Sequence, residues 1–381
     1  MAKRVVLAGG GHAHLAVLAD WARRPMPDTE RLLVTSSRHT AYSGMFPGWL
    51  AGLYHAKDLF IDLAPLAEQA GARMILADVT GMDADAATIS LSNGRHVEYD
   101  LVSLATGGET DVSNLAALGE KLIPAKPVDA FMERWKAFLH AIALKSVVEV
   151  AVVGGGAAGV ELAMAISVSL RRHFTPARVS LVAADGSILA GHSMAVQRLA
   201  LDALRDREIT VHYATAVGTD SGLLLSDGTE LKLDCVVAAT GSRAPSWLAR
   251  STLSCTREGY VEVGADLRSR SHCNAFAAGD LIERIDRKVE RSGVHAVKAG
   301  PVLAANLSAA LQDAPMQAYN PRQRTLYLLS TADRRAILSW GKLAVAGAWA
   351  WKLKDWIDRN FVEQQRLQEG LEAPWQGKGE Y

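Results

Sequence analysis

The sequence predicts an α/β protein. Two doubly wound halves sit on parallel sheets, the second inserted in the first, and a small α+β region follows at the C-terminus. Three observations carry that reading. A run of β-branched and aliphatic residues passes through a glycine-rich turn into small apolar residues twice, as VVLAGGGHAHLAVL at 5–18 and as VAVVGGGAAGVELA at 150–163. Each run is followed by nearly the same phrase, YDLVSLATGG at 99–108 and LDCVVAATGS at 233–242. The 381 residues, 49% of them hydrophobic, exceed what one small core holds.

The elements follow in order. Residues 4–35 read strand, glycine turn, helix, strand: RVVLAG, GHAHLAVLADWAR, RLLVT. The loop AYSGMFPGWLAGLYH at 41–55 is too long for a simple connection and is expected to be functional. A helix at 62–71, a strand at 73–77 and a hairpin come next, its arms ATISLS and HVEYDLVSLAT joined by the turn signal NGR. The proline-bearing VSNLAALGEKLIPAKPVD reads as a crossover between halves. From 148 the plan repeats: EVAVVGGGAAGVELAMAIS, the strand RVSLVAADG, a helix at 193–207, the strand ITVHYAT, and a hairpin through Asp227-Gly228 that closes on VVAATG. Then come HCNAFAAGDLIE, a helix at 293–311, and a last section at 325–361 read as two strands and an aromatic-rich helix. The boundaries expected are 1–112 and 263–320 for the first, divided Rossmann-like domain, 113–262 for the second, and 321–381 for the terminal region.

Lys+Arg and Asp+Glu both total 41, so the surface has no electrostatic footprint for nucleic acid. Three scattered cysteines, 235, 255 and 273, give neither a disulfide framework nor C-x-x-C spacing and fit a reducing compartment. The first strand starts too early for a signal peptide, and no run of about 20 apolar residues spans a bilayer. The expected location is the cytoplasm, or the cytoplasmic face of a membrane.

Glycines let a backbone approach a diphosphate closely, while the following helix N-terminus supplies N–H groups and positive dipole. Gly154, Gly156 and Gly159 satisfy G-x-G-x-x-G. Gly9 and Gly11 match its first two positions, but His14 holds the third, where a side chain pushes helix from sheet unless local packing accommodates it. AAGD at 277–280 ends a strand at Gly279 and sets Asp280 at the carboxyl edge of the first sheet, where ligands bind in open α/β sheets. A second strand usually ends on an acid that takes the ribose hydroxyls. Here the chain offers Thr35 or Ser36 in the first half, and Ala183 followed by Asp185 in the second. No arginine follows to clamp a 2′-phosphate, which leans toward NADH. His12 and His14 lack carboxylate partners, and no metal is expected.

This set of motifs resembles the two-dinucleotide-binding-domain flavoproteins, the pyridine nucleotide-disulfide oxidoreductase superfamily, over about residues 4–310. The resemblance implies FAD on the first turn (Gly9, Gly11, His12, Ala13, His14), near Thr106, Gly107 and Gly279, with Asp280 on its ribityl chain. It implies NAD(P)H on the second turn, near Thr240 and Gly241. The loop YSGMFPG lacks the paired cysteines of the disulfide reductases, and the three cysteines do not match the sulfide:quinone oxidoreductase contexts. What remains looks like the type II NADH dehydrogenases. GGGHAHLAVL, YSGMFPGWLAG, AAGD and SWGKLAVAGAWAWKLKDWIDRNF resemble, more narrowly, a flavoprotein family often fused to selenophosphate synthetase.

The resemblance implies hydride transfer from NAD(P)H to FAD and on to a quinone, with Glu161 near the rings. His295 and Lys298 would sit on the first turn of a helix aimed at the flavin, and Tyr42 and Pro47 would wall it or shape a turn. The partners implied are a quinone or other small acceptor, selenophosphate synthetase and a second copy of the chain. Trp340, Trp349, Trp351, Trp356 and Phe361, interleaved with lysines, suit peripheral membrane contact. Two alternatives stand beside this reading: a reductase of selenium or sulfur species, and a nucleotide-sensing flavoprotein that docks a partner.

Overall fold

The computed structural model describes residues 2–366 apart from Pro25, Pro27, Phe174, Thr175, Asp185 and Gln323. Two five-stranded sheets, each parallel throughout, carry the chain. The first runs Ala275–Ala277, Leu101–Leu104, Lys3–Ala8, Thr29–Thr35, Ala72–Leu76. The second runs Leu122–Pro124, Cys235–Ala238, Val148–Val153, Ala177–Ala183, Thr210–Tyr213. In both, the strand ahead of the glycine turn is central. Val5, Val6, Leu7 and Ala8 are fully buried, as are Val150, Ala151 and Val152. A parallel strand covered on both faces needs such an unbroken apolar run. Because Ala275–Ala277 joins the first sheet after the whole second sheet has been completed, the second unit is an insertion in the first.

Each sheet carries a three-stranded antiparallel flap, Val79–Asp83, Thr88–Leu91 and His96–Glu98 on one, Ala216–Gly218, Gly222–Leu225 and Glu230–Lys232 on the other. This corrects the expected hairpins. HVEYDLVSLAT is not one arm: His96–Glu98 pairs in the flap, while Leu101–Leu104 enters the parallel sheet. The break falls at the aspartate that the twin phrases share. Asp100 accepts the Arg4 N–H at 2.6 Å and donates its own N–H to the Arg4 carbonyl at 2.9 Å. Asp234 does the same with Glu149, at 3.1 and 2.8 Å. A short acceptor side chain thus fastens each new strand to the start of the glycine-turn strand.

Two further expectations change. The crossover is not irregular throughout, since Leu122–Pro124 forms the edge of the second sheet and Val128–Ala141 is a helix. The terminal region has three strands, not two: Leu326–Ser330, Ala336–Trp340 and Leu343–Gly347, then the helix Ala348–Gln365. The third strand arises because Gly341 and Lys342 close a two-residue hairpin that pairs Trp340 with Leu343. In the long loop, Pro47 is buried in the first turn of a short helix, Phe46–Leu50, where its missing N–H costs nothing.

Candidate dinucleotide sites and their junction

The glycine turns leave the carboxyl ends of the two central strands, and those ends face each other. Glu109–Thr110, just past the first ATG, pairs antiparallel with Ser242–Arg243, just past the second. The Asp111 N–H donates to the Gly241 carbonyl (3.1 Å), and Thr240 Oγ1 donates to the Asp111 carbonyl (2.5 Å).

Close approach explains the glycines. A Cβ at Gly9 or Gly11 would lie 2.4 Å from the Ala105 carbonyl oxygen, and one at Gly154 would lie 2.2 Å from that of Ala239. Gly9 and Gly154 also have φ of +103° and +136°, which L side chains rarely adopt. At Gly107, Gly156 and Gly241, by contrast, an added Cβ meets nothing within 4 Å, so these backbones border open space. The Thr106 hydroxyl is buried there without a protein partner. A diphosphate-bearing dinucleotide fits such a cradle: helix N-termini, small residues along an open side, and an unused donor.

Local packing accommodates His14, the alternative that the sequence left open. Where a Cβ at Gly159 would run into the Gly154 carbonyl at 1.8 Å, the His14 ring bonds to the equivalent carbonyl, that of Gly9, at 2.6 Å through Nδ1. Its Nε2 lies 2.8 Å from Ser103 Oγ. Burial pushes His14 down to about 4, so the ring is neutral, Nδ1–H donating and Nε2 accepting. Both nitrogens are used inside the protein. His12 is likewise held below its ordinary value by burial; its Nε2 lies 3.2 Å from the Ala41 carbonyl, and its ring sits edge-on to Tyr42 and Phe361. Ala13 is buried in the same first turn.

At the strand ends, Thr35 is buried and its hydroxyl donates to the Ser37 carbonyl (2.9 Å), beneath Gly10, whereas Ser36 is exposed. Ala183 occupies the same position in the second unit, fully buried, its Cβ 2.7 Å from where a Gly155 Cβ would stand. Both positions support their turns from beneath. Asp185 lies outside the described residues.

Asp280 follows Gly279 at the first sheet's carboxyl edge, and its Oδ2 lies 2.5 Å from Lys126 Nζ. Glu161, on the first-turn side of the helix Ala157–His173, accepts the Ser330 N–H through Oε1 at 2.6 Å. Burial pushes its carboxyl up to about 7, with Lys354 and the Ser330 bond pulling it down and Asp358 pushing it up. Lys354 and Asp358 form a buried ion pair (2.7 Å) on the terminal helix. Lys354 Nζ also donates to the Gly44 carbonyl (2.7 Å), and the Tyr42 hydroxyl donates to Asp358 Oδ1 (3.2 Å). Burial works against the Lys354 ammonium, but Asp358 and Glu161 outweigh it and hold its pKa above the ordinary value. Two separate segments, the strand of Ser330 and the terminal helix, therefore act on Glu161, and the loop of Tyr42 and Gly44 fastens the second of them.

The helix of His295 and Lys298 approaches His12 and Ser43 through Gly293, and His295 lines a pocket with Gly279 while its Nδ1 meets the Tyr319 hydroxyl at 2.9 Å. Lys298 is held low by burial and by Arg322. Lys126, Lys354 and Asp358 were missed in the sequence. The i,i+4 spacing of the last two within an aromatic helix was the one available signal.

A family model described as pyridine nucleotide-disulphide oxidoreductase matches residues 3–306. The chain is 32% identical to a sulfide-quinone reductase of Aquifex aeolicus over 107 residues, 28% of this chain and 25% of that protein. It is 28% identical to an NADH dehydrogenase-like protein of Mycobacterium tuberculosis over 293 residues, 73% and 72% of the two. The first of these alignments thus spans a quarter of its relative's length. Among solved structures, the sulfide:quinone oxidoreductase of Aquifex aeolicus gives a TM-score of 0.79 at 19% identity, covering 96% of this chain and 92% of that one. NDH2 from Plasmodium falciparum in complex with NADH gives 0.79 at 11% identity, covering 96% and 97%. At these identities the structural likeness speaks for the fold.

Proposed function

The chain belongs to the pyridine nucleotide-disulphide oxidoreductase family, and from that premise we propose that it is an FAD-dependent NAD(P)H dehydrogenase that passes two electrons to a quinone without a thiol relay. Membership implies FAD and NAD(P)H as the two dinucleotides, and the first and second turns are the residues that would hold them. FAD supplies the redox chemistry when bound, taking hydride and returning electrons to the acceptor. The reaction NAD(P)H + H⁺ + quinone → NAD(P)⁺ + quinol needs one proton beyond the hydride. The observation that carries the reading is the carboxyl of Glu161, which accepts the Ser330 N–H beside the Lys354–Asp358 pair and is pushed up to about 7 by burial, so that it could hold that proton near neutral pH. Ser330 occupies Oε1, which leaves Oε2 to carry it.

The thiols support a reading without a relay. Cys235 opens its strand at the end away from the turns and is fully buried, and Cys273 stands ahead of Ala275, again on the amino side. No arginine follows Ala183 to clamp a 2′-phosphate, which favours NADH over NADPH, while the missing acid at Ala183 removes a usual ribose partner and speaks for the readings without a nicotinamide. Leu326, Trp340 and Leu343 are register neighbours left exposed at one end of the terminal sheet, beside Lys342, and form the proposed lipid-facing edge. No helix among the described residues is long and apolar enough to cross a membrane. Co-sedimentation with anionic vesicles, reduced in Trp340→Ser/Leu343→Ser, tests that edge; equal binding by the variant removes it. Neither selenophosphate synthetase nor a second copy of the chain forms part of the proposal.

Anaerobic titration tests the function: flavin absorbance bleaches with NADH and returns with a soluble quinone. A flavin that neither nicotinamide bleaches overturns the donor. The alignment to sulfide-quinone reductase favours a second reading, in which the donor or acceptor is a sulfur or selenium species. Quinone reduction driven by sulfide and not by NADH, or NADH-dependent turnover with persulfide or selenite and none with quinone, would select it.

A further inference from the structure

Lys126 belongs to the second unit by its backbone and to the first by its charge. Ala125 donates its N–H to the Ala238 carbonyl (2.8 Å), beside the second ATG end, and the Lys126 N–H donates to Thr110 Oγ1 (3.2 Å). From that anchorage Nζ reaches across to Asp280 Oδ2 at 2.5 Å. The Asp280 side chain is 13% exposed and that of Lys126 is 44% exposed, so the pair stands at the mouth of the first site. Both charges act on His12, the first residue of the helix that follows the first glycine turn.

This arrangement answers an electrostatic problem. On the flavin reading, a carboxylate that must hold a ribityl hydroxyl faces the same sheet edge as a diphosphate dianion. Residues 9–14 contain no lysine or arginine, and burial keeps both histidines there neutral, so the turn itself offers only backbone N–H groups and helix dipole. Like charges in a partly dry site repel strongly unless compensated. We propose that Lys126 is the counter-ion that makes Asp280 compatible with a dinucleotide. It offsets the carboxylate's charge and orients it, so that affinity at the first site depends on a side chain of the second unit. Lys126 is thus a positioning residue, and the proposal rests on the assignment of FAD to the first turn.

The test is binding to apoprotein, read by quenching of free-flavin fluorescence at 0.05 M and 0.5 M salt, with circular dichroism as the check on folding. Lys126→Met is expected to raise the FAD dissociation constant about tenfold at low salt and less at high salt. Lys126→Arg, which keeps the charge, is expected to stay within about threefold. The decisive arm is the cycle with Asp280→Asn. Once the carboxylate is neutral the lysine has nothing to compensate, so Asp280→Asn/Lys126→Met should bind FAD about as well as Asp280→Asn alone. Riboflavin, which keeps the ribityl chain but lacks the diphosphate, should lose less affinity than FAD in Lys126→Met, and an equal loss would overturn the charge compensation. Wild-type affinity for FAD in Lys126→Met, or an undiminished loss in the Asp280→Asn background, overturns the inference while leaving the flavin assignment intact. Apoprotein of the wild type that takes up no FAD overturns the assignment, and the inference with it.

Discussion

Replacing Glu161 by Gln isolates the property on which the functional proposal turns. The carboxyl lies at about 7 in the folded protein against an ordinary 4.5, burial being the principal cause. At roughly 1.4 kcal/mol per pH unit, the folded chain disfavours the ionised form by ~3 kcal/mol relative to the unfolded chain. The sign follows from where the protons sit. Below pH 4.5 both states are protonated and the carboxyl contributes nothing. Between 4.5 and 7 the folded chain keeps a proton that the unfolded chain has released, so stability falls as pH rises. Above 7 the whole penalty is present. Gln cannot ionise, and its amide oxygen can still accept the Ser330 N–H. Urea unfolding of apoprotein should therefore find Glu161→Gln more stable than wild type by about 2–3 kcal/mol at pH 8, and by about 1 kcal/mol or less at pH 5. A stability difference that does not change between those pH values would refute the raised carboxyl, and with it the proton held at neutral pH. In the loaded enzyme the same variant should slow quinone reduction by about 10²–10⁴-fold and remove the limb of the pH profile near 7, while reduction by NADH changes little.

Gly159→Ala and Gly154→Ala should fail to give folded protein, because their Cβ atoms would meet backbone carbonyl oxygens at 1.8 and 2.2 Å. Gly156→Ala, with nothing within 4 Å, should melt like wild type yet lose nicotinamide affinity; a normal NADH dissociation constant in it would count against the second turn as a binding site. His14→Ala should cost about 2–4 kcal/mol in urea unfolding, since it removes a buried ring and two hydrogen bonds. With His14 held at about 4, wild-type stability should also fall as pH drops from 6.5 toward 4, because the unfolded chain takes up the proton first; a His14→Ala variant with the same acid slope would contradict this. The triple variant Cys235→Ala/Cys255→Ser/Cys273→Ser should retain NADH-dependent quinone reduction within about twofold, and a loss beyond tenfold would restore a thiol to the mechanism.

The sheets were legible because their signals are local. A fully buried parallel strand must be an apolar run, and a backbone that passes 2.4 Å from where a Cβ would stand must be glycine, so 5–18 and 150–163 announce themselves. The hairpins were misread because continuous apolar character cannot tell a flap strand from a sheet strand. The distinguishing event was one aspartate side chain turning back onto Arg4 or Glu149, far away in sequence. His14 was left open because a position normally closed to side chains becomes available only when the ring can bond the very carbonyl it would otherwise strike. The third terminal strand was not counted, since small apolar residues serve helix and strand alike until a hairpin fixes the pairing.

The charged residues of the junction were out of reach for a deeper reason. Asp280 meets a lysine 154 positions away, and Glu161 shares its field with Lys354 and Asp358 from the last helix. In both cases a carboxylate belonging to one unit is compensated by a lysine delivered from another segment. A buried ion pair is poor evidence for added stability, since desolvation cancels much of the attraction. Its consequence here is conditional: the field at each carboxylate is correct only when the inserted unit and the terminal helix are docked. If Lys354 is absent, burial and Asp358 raise the Glu161 carboxyl against the Ser330 bond alone, and it moves further up. If Lys126 is absent, Asp280 stands uncompensated beside the first turn. The electrostatics of the two sites are thus a property of the assembled chain, and a fragment that kept either glycine motif intact would still lack them.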